Sequence, residues 1–289
     1  MSAPRFFEAD GRNMSRATVL FLMGPFFALV IFAFLYPLGN LLSISVLEPQ
    51  PTLEHYQRVV ENPVYARVLM RTLQIALLVG LLSLALSLPV AVLMANSRGP
   101  KAILLTACIL LPFWSSVLVR TAAWAILLQR NGIINQSLQF IGITEEPIRL
   151  LYTQGAVVIA MTHVLMPFMV LPIYGALRNI PSDYARAASI CGAGPLRSFW
   201  EVTLPLAMPG ILGGFILVFL TALGYFITPA LLGSPQEMMI ATLISQQMRE
   251  NLDWPFAAAL VGVLTLIVTV ITLAFSKVFR FERMMGGRT

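Results

Sequence analysis

The sequence predicts an all-α membrane protein with about six transmembrane helices. Hydrophobic residues make up 58% of its 289 residues and charged residues only 11%, and its mean hydropathy is +0.82. This balance is typical of polytopic membrane proteins. A membrane-spanning helix needs about 20 mostly apolar residues, and the chain holds about six such runs. A membrane β-barrel is excluded, because its strands alternate apolar and polar residues, whereas these runs are apolar on every side.

The runs give the predicted spans in chain order. The first is too long for the core of a signal peptide, so we expect it to remain as a span. No linker divides the chain, which predicts one transmembrane domain over residues 1–289. Polar stretches from Leu47 to Met70 and after the third span predict outer-surface segments, and "GYFITPALLG" at the end of the fifth run predicts an unwound or capping element. The spans are placed at Val19–Leu38, Thr72–Ala95, Ala102–Leu128, Gln154–Leu177, Met208–Leu232 and Trp254–Phe275.

The distribution of Lys and Arg between alternate loops predicts the orientation. The segments that include both termini and the loops after the second and fourth spans hold about twice as many Lys and Arg residues as the other set. Because basic loops stay in the cytoplasm, we expect both termini to be cytoplasmic. This topology and contact with anionic lipid headgroups explain the isoelectric point of about 9.7, so a nucleic-acid partner is not needed.

The long polar segment between the fourth and fifth spans, about residues 178–206, predicts two short helices. Asp183 lies in the first turn of the first helix, where a negative charge interacts favourably with the helix dipole. Gly192 is a natural left-handed C-cap, and we expect the second helix to end before Pro205. The small side chains of the first helix would let another surface approach its backbone. The residues alone leave two interpretations open: a docking helix, and an amphipathic loop that lies on the headgroups.

This segment also carries the spacing of a known signature. Two alanines, a glycine and a Leu-Pro pair stand at the distances of the "EAA" signature (EAA, three residues, G, nine residues, I-x-LP). The chain thus resembles the permease subunits of bacterial binding-protein-dependent ATP-binding-cassette importers. Two further stretches, "LPFWSSVLVRTAAWAILLQRNGIIN" and "GYFITPALLG", are similar to the spermidine/putrescine branch of that family. The chain departs from the signature at Arg186, which replaces the acidic residue. The matching residues are Ala187, Ala188, Gly192, Val202, Leu204 and Pro205.

The resemblance implies a type I importer permease fold in the bacterial inner membrane, and a polyamine or related nitrogenous solute. It implies three partners: a cytoplasmic ATPase dimer, a second permease subunit, and a periplasmic solute-binding protein. A heterodimer of permeases is the first expectation and a homodimer the second. ATP and Mg would bind to the ATPase, so this chain needs no cofactor. The implied ATPase-coupling residues are Asp183, Arg186, Ala187, Ala188, Gly192, Leu204 and Pro205.

Motifs that would support other function classes are missing from the sequence. An ATP-binding loop needs Gly-x-x-x-x-Gly-Lys-Ser/Thr, and neither Lys101 nor Lys277 stands in that context. None of the 13 acidic residues falls clearly within a span, which disfavours a gradient-driven carrier, since such carriers usually place acids inside the membrane. His163 keeps the carrier alternative open, although a packing role is favoured for it. A membrane scaffold is a third class.

Polar and aromatic residues within the spans are candidates for a translocation pathway. Arg120 lies about midway along the third run, where an unpaired charge costs several kcal/mol. It is either a partner for carbonyls freed by a nearby proline or a pathway residue. The aromatic residues suit organic cations through cation–π contacts, but they also fit an interfacial belt. The candidate pathway residues are Trp114, Arg120, Trp124, Tyr225, Phe226 and Thr228.

Overall fold

The computed structural model describes the backbone of residues 16–48 and 50–286 and the side chains of residues 21–48 and 50–277. Every regular element in this part of the chain is helical. Short π-helical turns join α1 to α2 and α10 to α11, and a 3-10 turn precedes α13. The α-helices are α1 (Arg16–Val30), α2 (Tyr36–Leu47), α3 (Glu54–Glu61), α4 (Pro63–Asn96), α5 (Pro100–Trp114), α6 (Val117–Leu127), α7 (Ile133–Phe140), α8 (Gln154–Arg178), α9 (Ser182–Ile190), α10 (Pro195–Ser198), α11 (Leu204–Leu223), α12 (Ile227–Leu232), α13 (Ile240–Arg249) and α14 (Trp254–Gly286).

Five helical stretches of the described chain are long and apolar enough to cross a membrane, and a bent pair, α5 with α6, makes a sixth. The prediction of about six spans is therefore confirmed. The charged residues before Arg16 and after Gly286, which contributed to the orientation argument, lie outside the described residues.

Three helices, α4, α8 and α11, pack together and form the centre of the bundle. Their facing side chains, such as Val79, Met161 and Val218, are fully buried. The backbones of α8 and α11 approach closely where Gly210 and Gly214 face α8: a Cβ added at Gly210 would lie 2.6 Å from the Pro172 carbonyl oxygen. The small-residue spacing of "GILGG" allows this close approach.

The third span is broken, whereas the sequence predicted one run from Ala102 to Leu128. Ser115 and Ser116 are extended, and the axes of α5 and α6 differ by 97°. Pro112 lacks an N–H, and the Ser115 hydroxyl donates to the Pro112 carbonyl at 2.6 Å. Both features compete with the helical hydrogen bonds. The eleven residues of α6 extend only about 16 Å, so α6 alone does not cross the membrane.

Two prolines, Pro205 and Pro37, lie just after π-helical turns, and only Pro205 was expected to end a helix. The Leu204 N–H bonds to the Phe199 carbonyl, five residues back, and Pro205 follows without needing a partner. The segment from Pro195 to Leu223 is consequently one continuous stretch. The prediction of a second short helix that ends before Pro205 is wrong, because the wider π turn accommodates the proline. The turn before Pro37 works in the same way and carries the first span on to Leu47.

The second and fifth spans also differ from their predicted bounds. Helix α4 begins at Pro63, well before the predicted Thr72, and the Asn62 side chain caps it by accepting from the Val64 N–H at 3.0 Å. Arg67 and Arg71 lie in the first turns of α4, so the charge-free run begins only at Thr72 and places the start of the helix too late. Helix α11 ends at Leu223, and the expected unwound or capping element is a short break followed by α12.

At the end of the bundle opposite α9, an ion pair fastens α3 to the start of α14. Arg58 donates to Asp253 at 2.9 Å, and its guanidinium lies 4.1 Å from the centre of the Phe256 ring. Asp253 also accepts from the Phe256 N–H at 3.1 Å, which caps α14. Arg58 therefore combines an ion pair and a cation–π contact in one place.

Replacing Arg58 with alanine is expected to loosen α3 without unfolding the spans. The two lost contacts are partly exposed, so together they are worth about 1 kcal/mol. Hydrogen–deuterium exchange at the α3 amides should accelerate by about fivefold. Arg67→Ala is the matched control, because the Arg67 side chain is exposed and, within the part of the chain that the structure describes, donates only to its own helix at Pro63. Equal exchange in both variants would contradict the fastening role.

Candidate functional site

The polar segment between the fourth and fifth spans forms a protruding helix with a tight turn. Asp183 lies in the first turn of α9, as predicted. Gly192 has φ of +82°, a conformation that favours glycine. Its N–H bonds to the Ser189 carbonyl at 3.0 Å, and the Ala193 N–H bonds to the Ala188 carbonyl at 3.0 Å. This pair of bonds is a Schellman motif, so the C-cap prediction for Gly192 is confirmed.

The two faces of α9 have different surroundings. Ala185 and Ser189 line a cleft of about 680 Å³ between α9, α10 and the ends of α4 and α8. Ala187 is exposed and Ala188 is half-buried. Ile190 is 86% exposed at the tip of the helix. Leu196 shares this exposure just beyond the turn. The sequence reasoning missed these two apolar residues, because hydrophobic side chains in a short helix are ordinarily taken as buried.

Arg186, the departure from the signature, is paired within its own helix. Its guanidinium lies 3.3 Å from the Asp183 carboxylate, and both side chains are largely exposed. The two charges nearly cancel on the surface of α9, and both side chains remain accessible to another protein. Arg98 and Arg178 line the cleft at the same end of the bundle.

A polar cluster lies near the start of α6, where this helix packs against α8 and α12. The Arg120 guanidinium donates to the Val164 carbonyl at 3.5 Å. This carbonyl is next to the one that Pro167 leaves without its usual donor. The Trp124 indole donates to His163 at 3.3 Å, and the two rings meet edge to face with centres 5.8 Å apart.

A buried hydrogen bond between α6 and α12 lies next to the cluster. The hydroxyls of Thr121 and Thr228 are hydrogen-bonded at 3.1 Å, and both residues are fully buried. Thr228 therefore contacts α6 and faces no open space within this chain. Tyr225 lies in the break before α12, three residues before Thr228, and its hydroxyl is buried without a hydrogen-bond partner among the described residues.

The cluster lies at the depth of the membrane centre. His163 comes nine residues after the first residue of α8, which places it about 14 Å along the helix, close to half the thickness of the hydrocarbon core. The His163 side chain is nevertheless exposed in the single chain. Polar groups at this depth face protein or a water-filled cavity rather than lipid. We therefore expect this surface to be covered by another subunit or to line a channel.

The remaining two candidate pathway residues lie elsewhere. Trp114 is 80% exposed and lines an apolar groove along α5 together with Tyr174. Phe226 lines a recess beside α13 with Trp254. The structure thus brings together Arg120, Trp124, Tyr225 and Thr228 and separates them from Trp114 and Phe226.

Solved structures with the same architecture are transporters. The chain of a bacterial ABC transporter involved in the import of alginate matches with a TM-score of 0.71 and 19% identity, over 92% of this chain and 96% of that one. The MetNI methionine ABC transporter matches with a TM-score of 0.58 and 19% identity, over 74% of this chain and 94% of that one. At these identities the likeness establishes the fold alone, and the predicted importer permease fold is confirmed.

A family model decides the assignment. The model described as "Binding-protein-dependent transport system inner membrane component" matches residues 12–281. The chain belongs to this family. As its inner membrane component, the permease is a multi-pass subunit of a binding-protein-dependent importer, as the signature predicted, and the gradient-driven alternative is not favoured.

Curated relatives of the permease agree with this assignment. The spermidine/putrescine transport system permease protein PotB of Escherichia coli (strain K12) is 34% identical over 229 residues, which cover 79% of this chain and 83% of that protein. PotB of Haemophilus influenzae is 33% identical over 226 residues, or 78% of this chain and 79% of that protein. The inner membrane ABC transporter permease protein YdcU of Escherichia coli (strain K12) is 32% identical over 92% of this chain and 90% of that protein.

Proposed function

We propose that this permease forms half of a pathway that imports a polyamine or related nitrogenous cation. A partner ATPase dimer, which holds ATP and Mg, drives the import, and a periplasmic binding protein delivers the solute. The single observation that carries the coupling part of this proposal is the protruding helix α9. It ends in a tight turn at Gly192 and presents the apolar tip of Ile190 to solvent. Leu196 is also exposed just beyond the turn, and an exposed apolar surface rather than a single residue is expected to be covered by a partner.

The coupling segment acts as a docking element on the ATPase. Ala187 offers close approach, Ile190 and Leu196 supply apolar contact, and the Arg186–Asp183 pair can exchange partners with charges of the ATPase surface. The end of the bundle that carries α9 is cytoplasmic, because Arg98 and Arg178 lie beside it and basic loops stay inside. Both termini are then cytoplasmic as well.

A continuous helical path leads from the docking element to the pathway. The segment from Pro195 runs through the π turn and Pro205 into α11 without a break. Helix α11 packs against α8 at Gly210 and Gly214 with almost no side chain between the backbones. Because packed helices move as bodies, movement of the coupling segment reaches α8, which carries His163 and the carbonyl that holds Arg120.

A second permease subunit, different from this one, completes the pathway. The apolar groove on α5 that contains Trp114 is the contact surface, because an exposed tryptophan of this kind suits a packed subunit interface. Trp124 and Tyr225 present aromatic faces toward the space between the two permeases, where an organic cation gains cation–π contact. The spermidine/putrescine relatives support a polyamine as the solute.

The test is reconstituted transport. The permease, co-expressed with its partner permease and ATPase, is placed in vesicles with the binding protein, and labelled spermidine and putrescine are offered with and without ATP. We expect uptake that requires both ATP and the binding protein. Uptake by the isolated chain without ATP would defeat the proposal, and ATP-driven uptake of an unrelated solute alone would overturn the solute assignment.

A further inference from the structure

We propose that Arg120 is an electrostatic barrier that keeps the resting pathway closed to free cations. The inference rests on the pathway of the proposed function and adds a selectivity role to it. It follows from three observations: the depth of the cluster, the lack of a carboxylate partner for Arg120 among the described residues, and the way in which the structure holds its side chain in place.

The charge of Arg120 is not cancelled by its described surroundings. Among the described residues, its one hydrogen bond runs to a neutral backbone carbonyl, that of Val164. The Nε atom is buried and has no hydrogen-bond partner among the described residues. The ion pairs formed between described side chains lie elsewhere: on α9, between α10 and the π turn, and between α3 and the start of α14. A full positive charge therefore stays at the membrane centre, one helical turn from Trp124 and against the carbonyl that follows His163.

The guanidinium is positioned from both sides. The Thr121–Thr228 hydrogen bond fixes the rotation of α6 against α12. The Trp124–His163 hydrogen bond fixes α6 against α8 one turn further along. The alternative is that Arg120 serves only as a hydrogen-bond donor to a backbone carbonyl. That role would not explain the unpaired Nε of Arg120 or the exposed side chain of His163 nearby. Held in this way, the half-buried Arg120 keeps its charge against the Val164 carbonyl, next to His163, whose side chain is exposed.

A fixed positive charge opposes cations more strongly as their charge increases. At about 5–6 Å, with the effective dielectric constant of a partly buried site, one unit charge slows a monovalent cation by about a hundredfold. A polyamine carries several charges and is opposed more strongly. Small anions are not opposed. An arginine has the same consequence in pores that exclude cations. During transport, movement of α8 displaces the Val164 carbonyl and with it the barrier.

The experiment measures passive leak through the complete complex in vesicles without ATP. In Arg120→Gln, the leak of K⁺ is expected to increase by about a hundredfold, and the leak of putrescine and spermidine by larger factors, in the order of their charge. The leak of chloride should not increase. Arg120→Lys retains the charge and should remain tight. Arg67→Gln is the matched control, because the Arg67 Nε also donates to a backbone carbonyl, that of Pro63 at 3.3 Å, but at the outer end of α4.

Each outcome decides between the barrier and a structural role. A general defect in packing would raise chloride and cation leak together, and this result would overturn the inference, as would a tight Arg120→Gln complex. If Arg120→Gln does not assemble, the unaltered complex still tests the barrier, because its residual leak should favour chloride over K⁺, and the opposite preference would refute it. ATP-driven spermidine uptake, measured in the same vesicles, tests the proposed function separately.

Discussion

Gly210→Val is expected to abolish the folded permease, while Gly213→Val, three residues further along the same helix, leaves it intact. A Cβ at Gly210 would lie 2.4 Å from the Ala176 Cβ and 2.6 Å from the Pro172 carbonyl oxygen. The obstacle includes backbone, so it does not yield by a change of rotamer. Overpacking of this kind costs about 3 kcal/mol or more, a large part of the stability of a typical domain. Thermal unfolding of the detergent-purified protein measures the difference.

Gly213 is the matched control because a Cβ there has no atom within 4 Å. Adding Ala176→Gly to Gly210→Val removes the nearer of the two obstacles and should restore part of the lost stability. Equal melting temperatures for the two valine variants would mean that α8 and α11 do not approach as closely as the structure has them.

Gly192→Val is expected to uncouple ATP hydrolysis from transport while the spans remain inserted. At φ of +82° a residue with a Cβ is strained by about 1–2 kcal/mol, and a β-branched one by more. The Schellman turn would open, and Ile190 would leave its position at the tip. A shift of this size lowers the population of the docking-competent form by about 5–30-fold. We expect ATP-driven uptake in vesicles to fall by a similar factor, at an unchanged melting temperature of the spans.

Gly194→Val provides the comparison within the same loop. Gly194 has φ of −67° and ψ of 166°, an extended conformation that valine adopts readily, and its Cβ position is open. Uptake should therefore stay near that of the unaltered complex. If Gly192→Val transports normally, the turn is not part of the coupling to the ATPase.

The sequence was sufficient for features that depend on local chemistry. The bounds of α8, the left-handed turn at Gly192 and the close approach at Gly210 follow from patterns within about one helical turn, and the structure agrees with each. The replacement of the signature's acid by Arg186 was also visible. Its pairing with Asp183 required only the knowledge that residues three apart share a helix face.

Features that depend on the helical hydrogen-bond register or on packing between helices were not predictable. Proline was expected to end helices at Pro205, but a π turn accommodates it. The bend between α5 and α6 depends on two consecutive serines that a hydropathy window averages away. The hydrogen bond between Trp124 and His163 joins residues 39 positions apart, so only the packing of α6 against α8 reveals it.

The π turn at Phe199–Thr203 also sets the rotational phase between the two ends of the fifth span. Successive residues of an α-helix are rotated by about 100° around its axis, and a π turn holds about one residue more than an α turn. If the same residues adopted α geometry instead, everything downstream would rotate by roughly that angle. Gly210 would then no longer face Ala176. The wide π turn therefore keeps Gly210 and Gly214 facing α8 while the coupling segment keeps its own orientation at the other end of the span.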